Sequence, residues 1–180
     1  MDQDLESLKY PIGPFTIPDS ISDVELRKHI ITIERFPQRI TAATISLSKE
    51  QLDTPYRPQG WTIRQVVHHC ADSQMNAIIR FKLALTEEKP VIRPYFEDRW
   101  AELVDGKFLP IEPSLKILEG VHRKWSILLE NLEAPQFERT FVHPEHGAEF
   151  SLAVATANYA WHCEHHLAHV TNVQNRNGWR

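Results

Sequence analysis

At 180 residues, 42% of them hydrophobic and 24% charged, the chain has the length of one domain and the balance of a globular fold, which excludes disorder. A net charge of −4, from 20 basic and 24 acidic residues with no basic cluster, argues against nucleic acid as a partner. Two cysteines, Cys70 and Cys163, an acidic start without an apolar leader, and no run near ~18 apolar residues predict a reduced, cytoplasmic chain that does not cross a membrane.

No repeat or linker divides the chain, so a single domain is expected over 1–180. Residues 1–20, with Pro11, Gly13, Pro14 and Pro18, read as an extended leader lying over the surface. Asp19 or Ser20 caps a first helix, with Ser22-Asp23-Val24-Glu25 echoing a capping box. Pro37 is expected to end that helix near Arg35 and to open a following one that reaches about Ser48. After a proline-rich loop at 53–60, Thr62 caps a strong helix to about Thr86. A loop punctuated by Pro90 and Pro94 leads to one short helix from Glu97 to Val104, and a third long helix runs from near Pro113 to near Leu132. Residues 141–143 and 148–150 flank Pro144-Glu145-His146-Gly147 as a small hairpin. Ser151 caps the last helix, which runs to about Asn177 and stops at Gly178. Four long helices joined by unequal loops predict an all-α four-helix bundle with long connecting loops.

Histidine is in excess: there are ten, four of them between His162 and His169. His162 and His166 are one turn apart, about 40° round the helix, a spacing that lets one metal take two imidazoles from a single element. His165 and His169 repeat that spacing. The apolar stripe of the helix separates the two pairs. With His162 at zero, Ala155 and Val173 fall at about 20°, His166 at about 40° and Tyr159 at about 60°, whereas His169 and His165 fall at about 340° and 300°. The first pair therefore points inward, where metal sites of bundles are built. His165 is expected in solvent and His169 beside the site. A lone histidine on such a face is usually a core residue, but two buried imidazoles without partners would cost about 1–3 kcal/mol each.

On the Thr62 helix, Thr62, Gln65, Ser73, Asn76 and Arg80 all lie within about 40° of His69 and read as the wall of a polar cleft. Arg64 and Lys82 read as solvent-facing, with His68 near them. This favours His69 over His68 as a third ligand. Asp72, three residues after His69, is a candidate for holding a ligand or a bound water, and Asn76, Arg80 and Tyr159 are candidates for lining the cleft. Three nitrogen ligands leave a position open, as catalytic zinc requires. Cys70 and Cys163 read as buried thiols. His143 and His146 flank the hairpin turn and are expected to be exposed, with one of them able to reach over a pocket. There is no H-E-x-x-H, no Gly-rich phosphate loop and no G-x-S-x-G, and Glu119-Gly120-Val121-His122 is half of what a carboxylate-bridged di-iron bundle needs.

Gly60-Trp61-Thr62-Ile63-Arg64-Gln65-Val66-Val67-His68-His69-Cys70-Ala71-Asp72 and Tyr159-Ala160-Trp161-His162-Cys163-Glu164-His165-His166 resemble the DinB/YfiT-like superfamily, and within it the YfiT branch of metal-dependent hydrolases. Residues 51–57, 80–83 and 177–179 support the likeness, which runs from Tyr10 onward. The resemblance implies an up-down-down-up four-helix bundle and one divalent cation per subunit, zinc or else nickel, held by His69, His162 and His166. It also implies a cytoplasmic homodimer that acts on a small molecule. Other members of the superfamily are S-transferases that use low-molecular-weight thiols such as bacillithiol.

Three readings follow. The first is a hydrolase whose metal activates water in a cleft lined by Asn76, Arg80 and Tyr159. The second is an S-transferase whose metal holds a small thiol as thiolate, with Arg80 or Arg93 pairing its carboxylates. The third is a bundle in which metal only stabilises the fold or reports metal supply.

Overall fold

The computed structural model describes residues 2–145 and 147–179, with side chains from Leu5 onward. In chain order the elements are α1 (Asp2–Lys9), α2 (Asp23–Thr44), α3 (Lys49–Leu52), α4 (Ile63–Thr86), α5 (Glu97–Ala101), α6 (Val104–Phe108), α7 (Glu112–Glu130), α8 (Ala134–Phe137), β1 (Thr140–His143), β2 (Ala148–Ser151) and α9 (Leu152–Asn177). Among the described residues no helix is long and apolar enough to cross a membrane. His146 lies outside the described residues.

Local chemistry sets most helix ends. Thr62 and Ser151 accept backbone N–H bonds at the starts of α4 and α9, and Gly178 ends α9 in the left-handed region at φ 65°. Ser22, not Asp19 or Ser20, caps α2, forming a reciprocal box with Glu25. The predicted hairpin forms with Phe141 opposite Phe150. Its inner strand also holds the start of the α4–α7 connection, through Val142 N to Pro90 O at 2.9 Å and Ile92 N to Val142 O at 3.0 Å.

The four long helices bury two layers of side chains. One layer gathers Phe36 and Ile40 of α2, Ile63 and Val67 of α4, Leu115 and Leu118 of α7, and Leu167 and Val170 of α9. The other gathers Ile30 and Ile33, Phe81 and Ala84, Trp125 and Leu129, and Leu152 and Tyr159 of the same helices. Residue numbers rise from the second layer to the first in α2 and α9 and fall in α4 and α7, so the bundle runs up-down-down-up. Both α2 and α4 pack on α7 and α9, which leaves α2 and α4 on the diagonal. Because α4 and α7 run the same way, the chain must travel back along the bundle between them. Residues 87–111 make that crossover, carrying two short helices, α5 and α6, where one was expected.

The buried face of α4 fastens this crossover. Arg64 is buried rather than solvent-facing; its Nε donates to Asp53 at 2.7 Å and its Nη1 to the Leu109 carbonyl at 3.0 Å. Gln65 donates to the Ala101 carbonyl at 2.9 Å. His68 Nε2 donates to the Leu109 carbonyl at 3.1 Å, which makes His68 Nδ1 the acceptor from the Ser114 hydroxyl at 2.7 Å. Both nitrogens of His68 are thereby spent on the fold.

Pro37 does not divide α2. It supplies no N–H, so the Ile33 carbonyl loses its helical partner. His122 of α7, 1% exposed, donates to that carbonyl from Nδ1 at 2.6 Å. The defect is satisfied from a neighbouring helix, and α2 runs on to Thr44. His122→Leu is expected to cost about 1–3 kcal/mol, the cost of a buried carbonyl without a donor. A denaturant titration with an unchanged slope would measure it, and a loss below about 0.5 kcal/mol would exclude this role.

Candidate metal centre

His69 of α4 and His162 and His166 of α9 meet where the two core layers join. One nitrogen of each ring lies within 4.8 Å of the others. Ring centroids are 5.3 Å apart for His69–His162, 4.8 Å for His69–His166 and 4.4 Å for His162–His166. His69 Nε2 and His162 Nε2 are 3.2 Å apart. Two imidazole nitrogens on a tetrahedral cation at about 2.0–2.1 Å stand roughly 3.3 Å from one another, so the observed spacing fits a shared metal. Among the described residues no cysteine or carboxylate joins the trio.

Electrostatics favours the state a metal needs. Burial lowers His69 to about 4, and burial with the neighbouring imidazoles takes His162 and His166 well below the ordinary histidine range. All three rings are therefore neutral at pH 7, with no proton competing for the lone pairs. Trp61 covers the His69 ring at 4.6 Å, and the Ser73 hydroxyl lies 3.5 Å from His162 Nε2. The fully buried Gln74 amide sits 3.3 Å from His162 Nδ1.

The trio opens into a cleft of about 660 Å³, within the size range of small-molecule sites. Of the expected lining residues, Arg80 and Tyr159 are there, joined by Arg80 Nη1 donating to the Tyr159 hydroxyl at 3.1 Å. Asp72 and Asn76 are not. Asn76 turns back onto its own helix, donating to the Asp72 carbonyl at 2.9 Å. Asp72 is half-buried about 60° round the helix from His69; burial and the charge of Asp105 on α6 raise its carboxyl to about 6. Ser73, one turn after His69, takes the place expected of Asp72. Thr62 and Gln65 are used in capping α4. His143 lines the cleft. Cys70 and Cys163 are fully buried free thiols, which burial raises well above the ordinary thiol range.

His165 is not in solvent: it is 7% exposed and His169 is 3% exposed. The leader causes this. It begins as α1 rather than as extended chain, and it packs on the outer face of α9. Tyr10 lies 5.9 Å from His165, the Trp161 indole N–H donates to the Gly13 carbonyl at 3.1 Å, and the Lys9 carbonyl lies 3.1 Å from His169 Nε2, while Tyr56 of the loop before α4 stacks on His169 at 3.9 Å. Lys9, Tyr10, Trp61, Tyr95 and Trp161 thus line the cleft without having been singled out. Trp61 stood in the run before the α4 cap, where its place was readable; the leader residues carry no periodic signal.

A helical bundle that presents converging neutral imidazoles to a cleft has a site able to bind a metal. The chain belongs to the DinB superfamily, whose family model matches residues 32–170. A Bacillus cereus protein named "Putative metal-dependent hydrolase" is 51% identical over 175 residues, covering 97% of this chain and 100% of the relative. A Bacillus mycoides protein of the same designation is 50% identical over 175 residues with the same coverage. The solved structure of YfiT from Bacillus subtilis, described as a probable metal-dependent hydrolase with an unusual four-helix bundle topology, is similar at a TM-score of 0.94 and 46% identity, covering 97% of this chain and 99% of that one.

Proposed function

We propose that this protein is a metal-dependent hydrolase of small molecules, with one divalent cation, zinc or else nickel, held by His69, His162 and His166. The observation that carries the reading is the 3.2 Å approach of two neutral imidazole nitrogens beside a third in a cleft. Three protein nitrogens with a fourth position left open is the pattern of a catalytic site. A cation bound there would supply Lewis acidity, lowering the pKa of a coordinated water to about 7.

The chain's own groups do the rest. Burial raises the Tyr159 phenol, so it keeps its proton, and the Arg80 N–H bond to its oxygen leaves that proton for a substrate oxygen. Trp61 lies against the His69 and His166 rings and shields them from bulk water. Neither cysteine serves as a nucleophile, because both are buried as thiols.

Stripping the metal is expected to abolish hydrolysis of small esters or amides, and zinc or nickel is expected to restore it. Full activity in stripped protein would end the reading. A sulfur-to-metal charge-transfer band on adding a small thiol to cobalt-loaded protein would replace it with thiol transfer.

A further inference from the structure

The far side of His166 is engaged as well. His166 Nδ1 lies 3.4 Å from His169 Nδ1, and His169 Nε2 lies 3.1 Å from the backbone carbonyl of Lys9 in α1. A carbonyl oxygen only accepts, so His169 Nε2 carries a proton. A neutral imidazole has one N–H, so His169 Nδ1 is an acceptor. Tyr56 is stacked on this ring at 3.9 Å, and the hydrogen-bond partners of His169, His166 and the Lys9 carbonyl, include no carboxylate to favour a cation. The donor across the 3.4 Å contact is therefore His166 Nδ1, and the one proton of His166 sits there. His166 Nε2 is then the nitrogen that keeps its lone pair, and ligation beside His69 and His162 would run through it.

We infer that His169 is a positioning residue that sets the tautomer of His166, and that the Lys9 carbonyl sets the tautomer of His169, so the N-terminal helix is linked through two imidazoles to the candidate metal centre. The inference rests on His166 being a ligand. Outer hydrogen bonds of this kind fix the ring and raise the basicity of the ligating nitrogen. They also give the leader a role that its sequence does not announce. His165, His166 and His169 form a second trio of nitrogens within 4.8 Å of one another. A metal held in that trio through His166 Nδ1, the nitrogen 3.4 Å from His169 Nδ1, would have to displace the proton placed there.

Long-range nitrogen–proton correlation spectra of the metal-free, full-length protein identify the protonated nitrogen of each histidine. The expected result is a proton on Nδ1 of His166 and on Nε2 of His169. In His169→Gln the amide oxygen still accepts and the amide nitrogen still donates, so the His166 tautomer should persist and zinc affinity should stay within a few-fold. In His169→Phe, which fills the space and offers neither group, His166 should show both tautomers and bind zinc about 10- to 100-fold more weakly. A proton on His166 Nε2 in the unaltered protein, an unshifted tautomer in His169→Phe, or two zinc equivalents per chain would overturn the inference. Should His169→Phe fail to fold, the spectrum of the unaltered protein decides alone. Should the unaltered protein bind no zinc, the metal-centre reading fails while the spectrum still tests the tautomer chain.

Discussion

His166→Ala is expected to weaken zinc binding by well over 100-fold while leaving the bundle folded. The lower bound comes from comparison: losing an outer hydrogen-bond partner of a ligand costs about 10- to 100-fold, and this substitution removes a ligand together with its partner. His162→Ala should act alike, since its Nε2 is the nitrogen 3.2 Å from His69 Nε2. His68→Ala is the control. Both His68 nitrogens are bonded to Ser114 and Leu109, so it should lower stability and leave zinc affinity unchanged. Calorimetric zinc titrations with circular dichroism on the same samples separate the two effects. Unchanged zinc affinity in His166→Ala would remove the trio from consideration.

The second large effect is acid unfolding. Burial holds His122 at about 4 against an ordinary value of 6.5. The unfolded chain therefore binds this proton first as pH falls, and stability, greatest above pH 6.5, declines until the folded ring also protonates. For His122 alone the loss between pH 6.5 and pH 4 is about 3 kcal/mol. His69 and His165, also held at about 4, and His169, at about 3, pull in the same direction. The metal-free protein should thus lose most of its stability between pH 6.5 and pH 4, with uptake of several protons on unfolding. His122→Gln should show a shallower dependence by one proton, and zinc should move the transition to lower pH by holding its ligands neutral. Thermal melts across this range measure both, and stability flat from pH 7 to pH 4.5 would contradict the burial of these rings.

Elements written in local chemistry were legible. Thr62, Ser151 and Gly178 mark the ends of α4 and α9 because a cap is a contact between residues two or three apart. The pairing of His162 with His166 was legible for the same reason, as one turn of a helix relates them. The preference for His69 over His68 followed from the polar stripe beside it, although part of that stripe caps α4 and Asn76 faces its own helix.

What depended on a partner distant in sequence was not legible. Pro37 reads as a break until His122, arriving on α7, satisfies the Ile33 carbonyl. Arg64 reads as a surface charge until the crossover brings the Leu109 carbonyl to it. His165 reads as solvated until Tyr10 of the leader covers it.

The sequence by itself determined four amphipathic helices, most of their ends and a pair of imidazoles aimed inward, because propensity, capping and helical periodicity act over a few residues. The tertiary structure alone decided that His69 meets that pair, that Ser73 rather than Asp72 stands beside it, and that the leader closes over His169. Those outcomes depend on how separate helices pack, and packing joins residues that no local pattern connects.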